Sequence, residues 1–447
     1  MRRFLFIVLL LLLCANAKGQ KGVTGKYINL KEFCLDNGLT VLIHRDTTSP
    51  IVTVGTLYHV GGKNEEPHLT GFAHLTEHLF FHGTKNIPQG QFERIVREAG
   101  GYSNASTTSD RTFYYLIMPS NQLELAIWME SERMLHPQIT REGFYREAEV
   151  VKEELRQRYQ SGPLANAENE MMEFVFEQHP YKMPLIGYME HLDSAKPRDF
   201  YDFVQKWYTP DNAALVLSGD IDIDSAKNWV DKYFSEIPAS AKKPSRPSYM
   251  PGKEKVGKRA IRHKEGIKEP HTILSYRALA ENSREADVLK FAINLLTDEK
   301  YGEVTLLPQK HDFIRKISLT PEFYEDAGMV WARGSYSGSR ERFVAVLDST
   351  FRSIAQNGIP QERINSLKRL YYNNYIDVFF SPATIAEMAA TGKMLFGDSY
   401  FLLDFLHRIE SITPQEICDV IGTCLNSGNS DILTYLPTKN AQQNDLQ

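Results

Sequence analysis

The chain has 447 residues, too many for one ordinary hydrophobic core, so its length predicts two or more domains. Hydrophobic residues make up 42% and charged residues 24%, which is typical of a globular protein. The formal net charge of −5 gives no reason to expect a nucleic-acid partner, and beyond the N-terminus no apolar run reaches the roughly 20 residues needed to cross a bilayer.

Residues 1–17 have the features of an export signal. Two arginines precede a short apolar stretch, and the small residues within 15–17 form a cleavage pattern. We therefore expect a periplasmic or secreted protein with no stable membrane span after cleavage. Cys14 opens a lipoprotein alternative, but a lipoprotein signal usually has a small residue before the cysteine, and here that residue is Leu13.

The pattern up to residue 237 predicts strands alternating with helices. β-Branched and aromatic residues predict strands within 33–60 and at 112–118 and 213–217. Helical patterns are a stretch that ends near Gly83 and the segments 91–99, 123–134, 144–160 and 225–234.

Four prolines among Lys, Ser and Ala predict an interdomain linker at 238–258. After the linker the order of elements roughly repeats, with strands at 271–276, 329–335 and 432–436 and helices at 283–296, 341–356, 361–379 and 384–396. The predicted fold class is therefore α+β. It has two similar α/β-sandwich domains, 28–237 and 259–437, each with a mixed or antiparallel sheet and helices packed on it.

The pentapeptide His74-Leu75-Thr76-Glu77-His78 predicts a metal site. Residues four apart lie on one face of a helix, so His74 and His78 can present two imidazole nitrogens to one ion. Zinc suits two neutral histidines with a carboxylate and leaves a position for water, although iron or manganese also suit this donor set. Glu77 can then take a proton from that water, and the pattern matches the inverted HxxEH signature of zinc peptidases.

The third ligand is expected in the charged helix 144–160. Glu147 and Glu154 are seven residues apart, two turns along one face. One of them can bind the metal while the other orients a ligand. Solvation is the alternative role for any single acidic residue in such a run.

Around these residues the sequence resembles the pitrilysin/insulinase family, which includes insulysin and the mitochondrial processing peptidase. The resemblance is to the short two-domain members, such as that processing peptidase and its bacterial relatives. It extends over the first half in matching order and spacing, through the segments 71–84, 100–107, 146–154, 179–181, 186–187 and 207–213.

The resemblance implies that His74, His78 and Glu154 bind one zinc ion and that Glu77 is the general base. It also implies that Glu147 supports the ligands. Glu153 is the rival third ligand, but it would lie a helical step away from the face that carries Glu147.

The resemblance further implies that the stretch Asn104-Ala105-Ser106 is an edge strand that pairs with substrate backbone, where the residues alone also allow a polar turn. The expected function is a zinc endopeptidase acting on peptides or unfolded segments. Family members enclose the site in a clam-like chamber built from four such domains, so this chain would supply half a chamber. It would then pair as a homodimer, or as a heterodimer with a related non-catalytic subunit. The alternative function is a catalytically weak binding or assembly subunit.

Four ring side chains near the motifs have less specific interpretations. Phe81 and Tyr115 could line a side-chain pocket, but core packing is the favoured role for isolated aromatic residues. His68 and His82 are expected at the surface rather than as ligands.

In the predicted mature chain the remaining cysteines are Cys34, Cys418 and Cys424, an odd number without metal-type spacing. We expect buried free thiols, with one disulfide as the alternative. Arg333 and Tyr336 are conceivable counterparts of an arginine and a tyrosine that hold substrate in related enzymes, but such residues near a strand end are commonplace.

Overall fold

The computed structural model describes residues 28–242, 244–246, 255–379 and 381–438. The predicted export signal at 1–17, with Cys14, lies outside the described residues, and so does part of the predicted linker. Each half of the described chain builds one β-sheet with helices packed on it. The predicted α+β class is confirmed.

The first half contains six strands and the second half five. The first-half strands are β1 (Leu30–Cys34), β2 (Thr40–Arg45), β3 (Ile51–Tyr58), β4 (Tyr102–Thr107), β5 (Thr112–Pro119) and β6 (Ala213–Gly219). The second-half strands are β7 (Arg259–Lys264), β8 (His271–Ala278), β9 (Ile314–Phe323), β10 (Gly328–Tyr336) and β11 (Ser430–Pro437).

The helices fall into the same two halves. Those of the first half are α1 (Phe72–Leu79), α2 (Phe92–Glu98), α3 (Leu123–Leu135), α4 (Arg141–Tyr159), α5 (Ala167–Val175), α6 (Met189–Ser194), α7 (Pro197–Trp207) and α8 (Ile223–Phe234). Those of the second half are α9 (Arg284–Leu296), α10 (Leu307–Lys310), α11 (Arg340–Asn357), α12 (Gln361–Phe379), α13 (Pro382–Phe396), α14 (Phe405–Glu410) and α15 (Pro414–Cys424).

Strand order places β4 at one edge of the first sheet. The order is β1-β2-β6-β3-β5-β4, and β4 pairs with β5 in antiparallel register. Every residue of β6 is buried, because helices cover both faces of the sheet at its centre. The second sheet has the order β7-β11-β8-β10-β9.

The two halves exchange a helix. From the first half, α5 packs Ala167, Met171 and Val175 on one face of the second sheet, against Ile273, Met329, Trp331, Leu433 and Tyr435. From the second half, α13 packs its small and apolar residues on the first sheet, against Leu42, Leu57, Phe113, Ala214 and Val216. Each sheet therefore completes its core with a helix from the other half.

A buried ion cluster also joins the halves. The Lys63 ammonium lies 2.9 Å from Asp110, 2.6 Å from Glu325 and 2.9 Å from Asp326. Lys63 and Asp110 belong to the first half, and the two other carboxylates lie in the β9–β10 turn. Tyr181 donates to Asp110 at 2.7 Å, so the cluster is hydrogen-bonded as well as paired. Its position fixes the β9–β10 turn beside the β4–β5 turn.

The sequence predicted the hydrophobic elements better than the polar ones. The helix expected to end near Gly83 ends at Leu79. The patterns did not predict the strands β7 and β9 or the helices α5, α6, α7, α10, α14 and α15. Most of the described helices have apolar residues on one face, but none combines the length and apolar character needed to span a membrane.

The cysteines are free, as expected, but only one of them is buried. Cys424 is buried, Cys418 is half-buried and Cys34 is exposed on β1. The expectation of three buried thiols is therefore wrong for Cys418, which is only half-buried, and for Cys34, because β1 is an edge strand whose side chains are largely solvated.

Candidate metal centre

Helix α1 carries three of the predicted site residues and begins at a carboxylate. The backbone N–H groups of Gly71 and Ala73 each donate to Glu65 at 2.7 Å. Glu65 is itself buried, and burial raises its pKa to about 8, while the hydrogen bonds from the backbone of Ala73 and Gly71 oppose that shift. Phe72 and Leu75 anchor the helix in the core. Glu65 therefore fixes where α1 starts.

Two glycines let α1 approach the turn that contains Ile186. Gly71 has a φ of 85°, and a Cβ there would lie 2.4 Å from the Ile186 carbonyl oxygen. Gly187 has a φ of 83°, and a Cβ there would lie 2.4 Å from the Thr70 carbonyl oxygen. No side chain fits at either position without movement of backbone, so the pair sets the distance between α1 and this turn.

His74, His78 and Glu154 come together between α1 and α4. Glu154 Oε2 lies 3.7 Å from Nε2 of His74 and 3.7 Å from Nε2 of His78. Bonds of about 2.0 Å in a tetrahedral zinc site imply ligand separations of about 3.3 Å. The three side chains therefore fit a zinc ion with little movement, and in the described part of the chain no other group of this kind comes together.

The surroundings of the two histidines differ. Burial is the main cause that lowers the pKa of His74 to about 3, and the neighbouring His78 adds to it. Burial also acts to lower the pKa of His78, but the carboxylates of Glu147, Glu77 and Glu154 outweigh it and raise the pKa above its usual 6.5. Metals bind the neutral imidazole, so His74 is in its binding form near neutral pH. The raised pKa of His78 makes metal binding at this ring compete with a proton up to a higher pH than at an ordinary histidine.

His82 lies in a buried hydrogen-bonded chain, so the prediction of a surface position is wrong. Its Nε2 lies 2.8 Å from Glu147 Oε1, and Glu147 Oε2 lies 3.6 Å from Nδ1 of His78. Gln89 donates to Nδ1 of His82 at 3.2 Å. Interactions with His78 and His82 lower the pKa of Glu147 to about 2, so this carboxylate is ionised. His68 is exposed, as expected.

Glu77 contacts the end of the edge strand. The Thr107 hydroxyl donates to Glu77 Oε2. Burial is the main cause that raises the pKa of Glu77, and the Thr107 hydrogen bond opposes it. A raised pKa moves a carboxylate toward the range in which it exchanges protons near neutral pH.

The stretch predicted as either an edge strand or a polar turn is the strand β4. The Ala105 N–H donates to Asn104 Oδ1 at 2.9 Å instead of to a neighbouring strand, and Asn104 donates to the Tyr102 hydroxyl at 2.8 Å. Since β4 pairs with β5 on one side only, its other side offers backbone groups to an added strand.

A pocket of about 410 Å³ opens beside Glu77 and His78, and Phe81 lines it with Glu147 and Asn104. Phe81 also packs in the core, because the guanidinium of the buried Arg133 lies 5.2 Å from its ring centre. Phe81 therefore has both roles that the sequence allowed: it packs against the core, and it forms part of the pocket wall.

Other side chains lie away from the predicted ligands. Glu153 is 57% exposed and pairs with Arg156, whereas Arg158 pairs with the ligand candidate Glu154 at 2.5 Å. Tyr115 is half-buried and stacks on Phe113, which agrees with a packing role.

Arg333 and Tyr336, the second-half residues considered for holding substrate, make other contacts. Tyr336 is fully buried, stacks on Phe343 and bonds to Thr272. Arg333 pairs with Glu168 at 2.8 Å. Tyr336 therefore packs in the second-half core rather than at a surface that a substrate can reach.

Comparison with known proteins gives two adjacent matches. The family model described as Insulinase (Peptidase family M16) matches residues 40–188, and the model described as Peptidase M16 inactive domain matches residues 194–371. The zinc protease PqqE of Helicobacter pylori is 26% identical over 408 residues, which are 90% of this chain and 92% of that protein. The mitochondrial-processing peptidase subunit beta of Saccharomyces cerevisiae is 26% identical over 209 residues, 46% of this chain and 44% of that protein.

Solved structures share the fold over most of the chain. A protease from Helicobacter pylori superimposes with a TM-score of 0.83 at 23% identity and covers 92% of this chain and 100% of that one. The periplasmic protease PqqL of Escherichia coli gives a TM-score of 0.71 at 19% identity, over 92% of this chain but 48% of that one. The chain belongs to the insulinase family of peptidases, family M16.

Proposed function

We propose that this chain is a zinc-dependent endopeptidase that hydrolyses peptides or unfolded polypeptide segments. The observation that carries the proposal is the convergence of His74 Nε2 and His78 Nε2 on Glu154 Oε2, at 3.7 Å each, with Glu77 on the same helix. His74, His78 and Glu154 would hold one zinc ion per chain. Glu147 would orient His78, in a chain that His82 extends.

Zinc in such a site lowers the pKa of water and polarises a carbonyl group. Glu77 accepts the proton of the attacking water and passes it to the departing amine, so no covalent enzyme intermediate is required. The Thr107 hydroxyl holds one carboxylate oxygen of Glu77 and leaves the other free for this transfer.

The free edge of β4 supports an extended substrate. A peptide added beside Asn104, Ala105 and Ser106 would exchange main-chain hydrogen bonds with the strand, and the Ala105 N–H would leave the Asn104 side chain to do so. Such pairing requires an unfolded segment, because a folded protein rarely offers a free strand of this kind.

The alternative is a catalytically weak binding or assembly subunit. The match to an inactive-domain model covers 194–371, whereas all the proposed metal ligands and Glu77 lie within 40–188, which the peptidase model matches. The intact donor set in that first half favours an active enzyme over the alternative.

A partner chain is part of the proposal. This chain corresponds to 48% of the length of PqqL, so it would supply half of a chamber of that size. A homodimer, or a heterodimer with a related non-catalytic subunit, would supply the rest. The mass of the native assembly measured by light scattering tests this, since a monomer that is fully active would contradict it.

We propose export because residues 1–17 have the pattern of an export signal and because the chain is similar to a periplasmic protease. Fractionation of cells with antibody detection tests it. Protein found only in the cytoplasmic fraction, with residues 1–17 still attached, would contradict the proposal.

The replacement Glu77→Gln tests the catalytic role. Both the wild type and the variant are loaded with zinc, and cleavage of an unstructured peptide is followed by mass spectrometry. We expect the variant to keep its zinc and to lose activity by about a thousandfold, because general-base catalysis contributes on this scale. Cleavage at the wild-type rate would overturn the mechanism. Peptide binding without cleavage by the wild type would favour the alternative subunit role.

A further inference from the structure

The turn between β4 and β5 is held by one arginine. Arg111 Nη1 donates to the Ser106 carbonyl oxygen at 2.9 Å and to the Ser106 hydroxyl at 2.5 Å. The next residue, Thr107, donates to the proposed base Glu77. Arg111 therefore fixes the last part of the strand that both contacts Glu77 and offers an edge to substrate.

Arg111 is in turn anchored by the second half. Its side chain is only 12% exposed, and its Nη2 pairs with the carboxylate of Glu387 on α13. A guanidinium with so little access to water depends on such a partner, because an unpaired buried charge is costly. Without Glu387, Arg111 would turn toward solvent or toward another carboxylate and release Ser106.

Helix α13 presents Glu387 from a fixed position. Ile385, Ala386 and Ala389 on this helix are buried against the first sheet, on either side of Glu387 in the sequence. The helix cannot shift without opening that core. It therefore delivers the carboxylate to the β4–β5 turn with the precision of a packed interface.

We propose that Glu387 of the second half is a positioning residue for hydrolysis, acting through Arg111 on Ser106 and Thr107. This inference rests on the proposed peptidase function. It gives the half without metal ligands a part in the reaction, since the end of the substrate-binding strand and the contact to Glu77 are held in place from there.

The test compares Glu387→Gln with Lys393→Gln in zinc-loaded full-length protein. Lys393 lies on the same helix and pairs with Glu32 of β1, at the opposite edge of the sheet from β4. Both variants remove one ion pair between the halves, but only one of these pairs reaches the β4–β5 turn. We expect kcat/KM to fall about tenfold for Glu387→Gln, with zinc content unchanged, because small misplacements of positioning groups cost on this scale. We expect wild-type activity for Lys393→Gln.

Two further variants separate positioning from general damage. Glu387→Asp should recover part of the activity, because it restores the charge. The pair Arg111→Gln and Arg111→Gln/Glu387→Gln should have equal activities, because Glu387 has no route to Ser106 once Arg111 is gone. Additive losses would contradict the proposed route.

A binding measurement keeps the inference separate from the proposed function. Fluorescence anisotropy with a labelled unstructured peptide is recorded in the Glu77→Gln background, with and without Glu387→Gln. Weaker peptide binding with Glu387→Gln, and not with Lys393→Gln, supports the inference even if the wild type cleaves nothing. Equal peptide binding and equal kcat/KM for the two single variants would overturn it.

Discussion

The two halves of the chain share a strand arrangement and differ in the side chains that it carries. The strands β2-β6-β3-β5-β4 correspond in order and direction to β7-β11-β8-β10-β9, and in each set only the first pair is parallel. Helix α1 follows β3, and α9 follows β8 at the corresponding place. Yet α9 presents Val288, Leu289 and Phe291 to the core and contains no histidine.

The two halves thus share the same arrangement of strands and the helix after the third strand, but of the two corresponding helices only α1 carries the histidines and the glutamate proposed for metal binding and catalysis. The first half has ligand candidates, the proposed base Glu77 and a free strand edge around one pocket. The second half contributes a helix, a turn with two carboxylates and Glu387 to the same region. The second half, which lacks ligand candidates among its described residues, therefore supports the first half, which has them.

The largest expected effect comes from removing the proposed third zinc ligand, Glu154. Glu154→Gln should lose zinc and lower hydrolysis by about a thousandfold or more, because the metal contributes several kcal/mol to such reactions. Glu153→Gln is the matched control, since Glu153 is 57% exposed and pairs with Arg156. Metal analysis and peptide cleavage check both. Loss of zinc in Glu153→Gln alone would reassign the third ligand.

The next largest effect is expected on stability, and the variant Met171→Ala tests whether the two halves unfold separately. Met171 lies on α5 of the first half but is fully buried on the second sheet. Met171→Ala should lower the free energy of unfolding by about 2–5 kcal/mol, since it leaves a cavity there. Glu173→Ala is the control on the same helix, at an exposed position whose hydrogen bond from Tyr188 stays within the first half.

Urea unfolding followed by fluorescence checks the comparison, because Trp331 reports on the second sheet. We expect one transition for the whole chain. Two transitions, with only one shifted by Met171→Ala, would show that each half unfolds alone.

A smaller effect is expected from His82, which contacts Glu147, the residue that in turn lies beside His78. His82→Phe keeps a ring but removes the donor to Glu147, so His78 is held less firmly. Zinc affinity should fall by about 10- to 100-fold, as for other groups that orient metal ligands. Competition with a chromophoric chelator measures it. His68→Phe, at an exposed histidine, should leave the affinity unchanged, and equal affinities for both variants would contradict the role of His82.

The smallest effect is a pH dependence confined to the metal centre. The carboxylates of Glu147, Glu77 and Glu154 raise the pKa of His78 above its usual 6.5, so in the metal-free protein this ring keeps its proton to a higher pH than an ordinary histidine does. Zinc must displace that proton, and its affinity should fall as pH decreases below this pKa, by about tenfold per pH unit. Calorimetry in buffers of different ionisation enthalpy should detect the released proton at pH 6. An affinity that is flat between pH 6 and 8 would contradict the expectation.

Much of the site could be predicted because its residues follow helical spacing. His74 and His78 are four apart on α1, and Glu147 and Glu154 are seven apart on α4, so each pair shares a face. His82 could not be predicted in the same way. It lies beyond the end of α1, and only the tertiary contact with α4 shows that it is buried against Glu147.

The missed strands and contacts have a similar explanation. In β7, exposed residues alternate with half-buried ones, but the half-buried face carries the charged Arg262 and Lys264 and the exposed face carries Ile261, so the strand lacks a clear apolar face. In β4 the residues after Tyr102 are small and mostly polar, and such residues also suit turns, so the residues alone left both open and the resemblance pointed to the strand. The pairing of Arg111 with Glu387 joins residues far apart in sequence, and local patterns carry no information about it.

The helix exchange has a consequence for the order in which the protein is made. The first sheet is complete in the nascent chain once β6 has left the ribosome, but the helix that covers Leu42, Leu57 and Val216 begins only at Pro382. Until then an apolar surface stays bare, and such surfaces promote aggregation. A chaperone that keeps the growing polypeptide unfolded until translation is nearly finished would therefore protect it, and truncation before residue 382 should yield insoluble product.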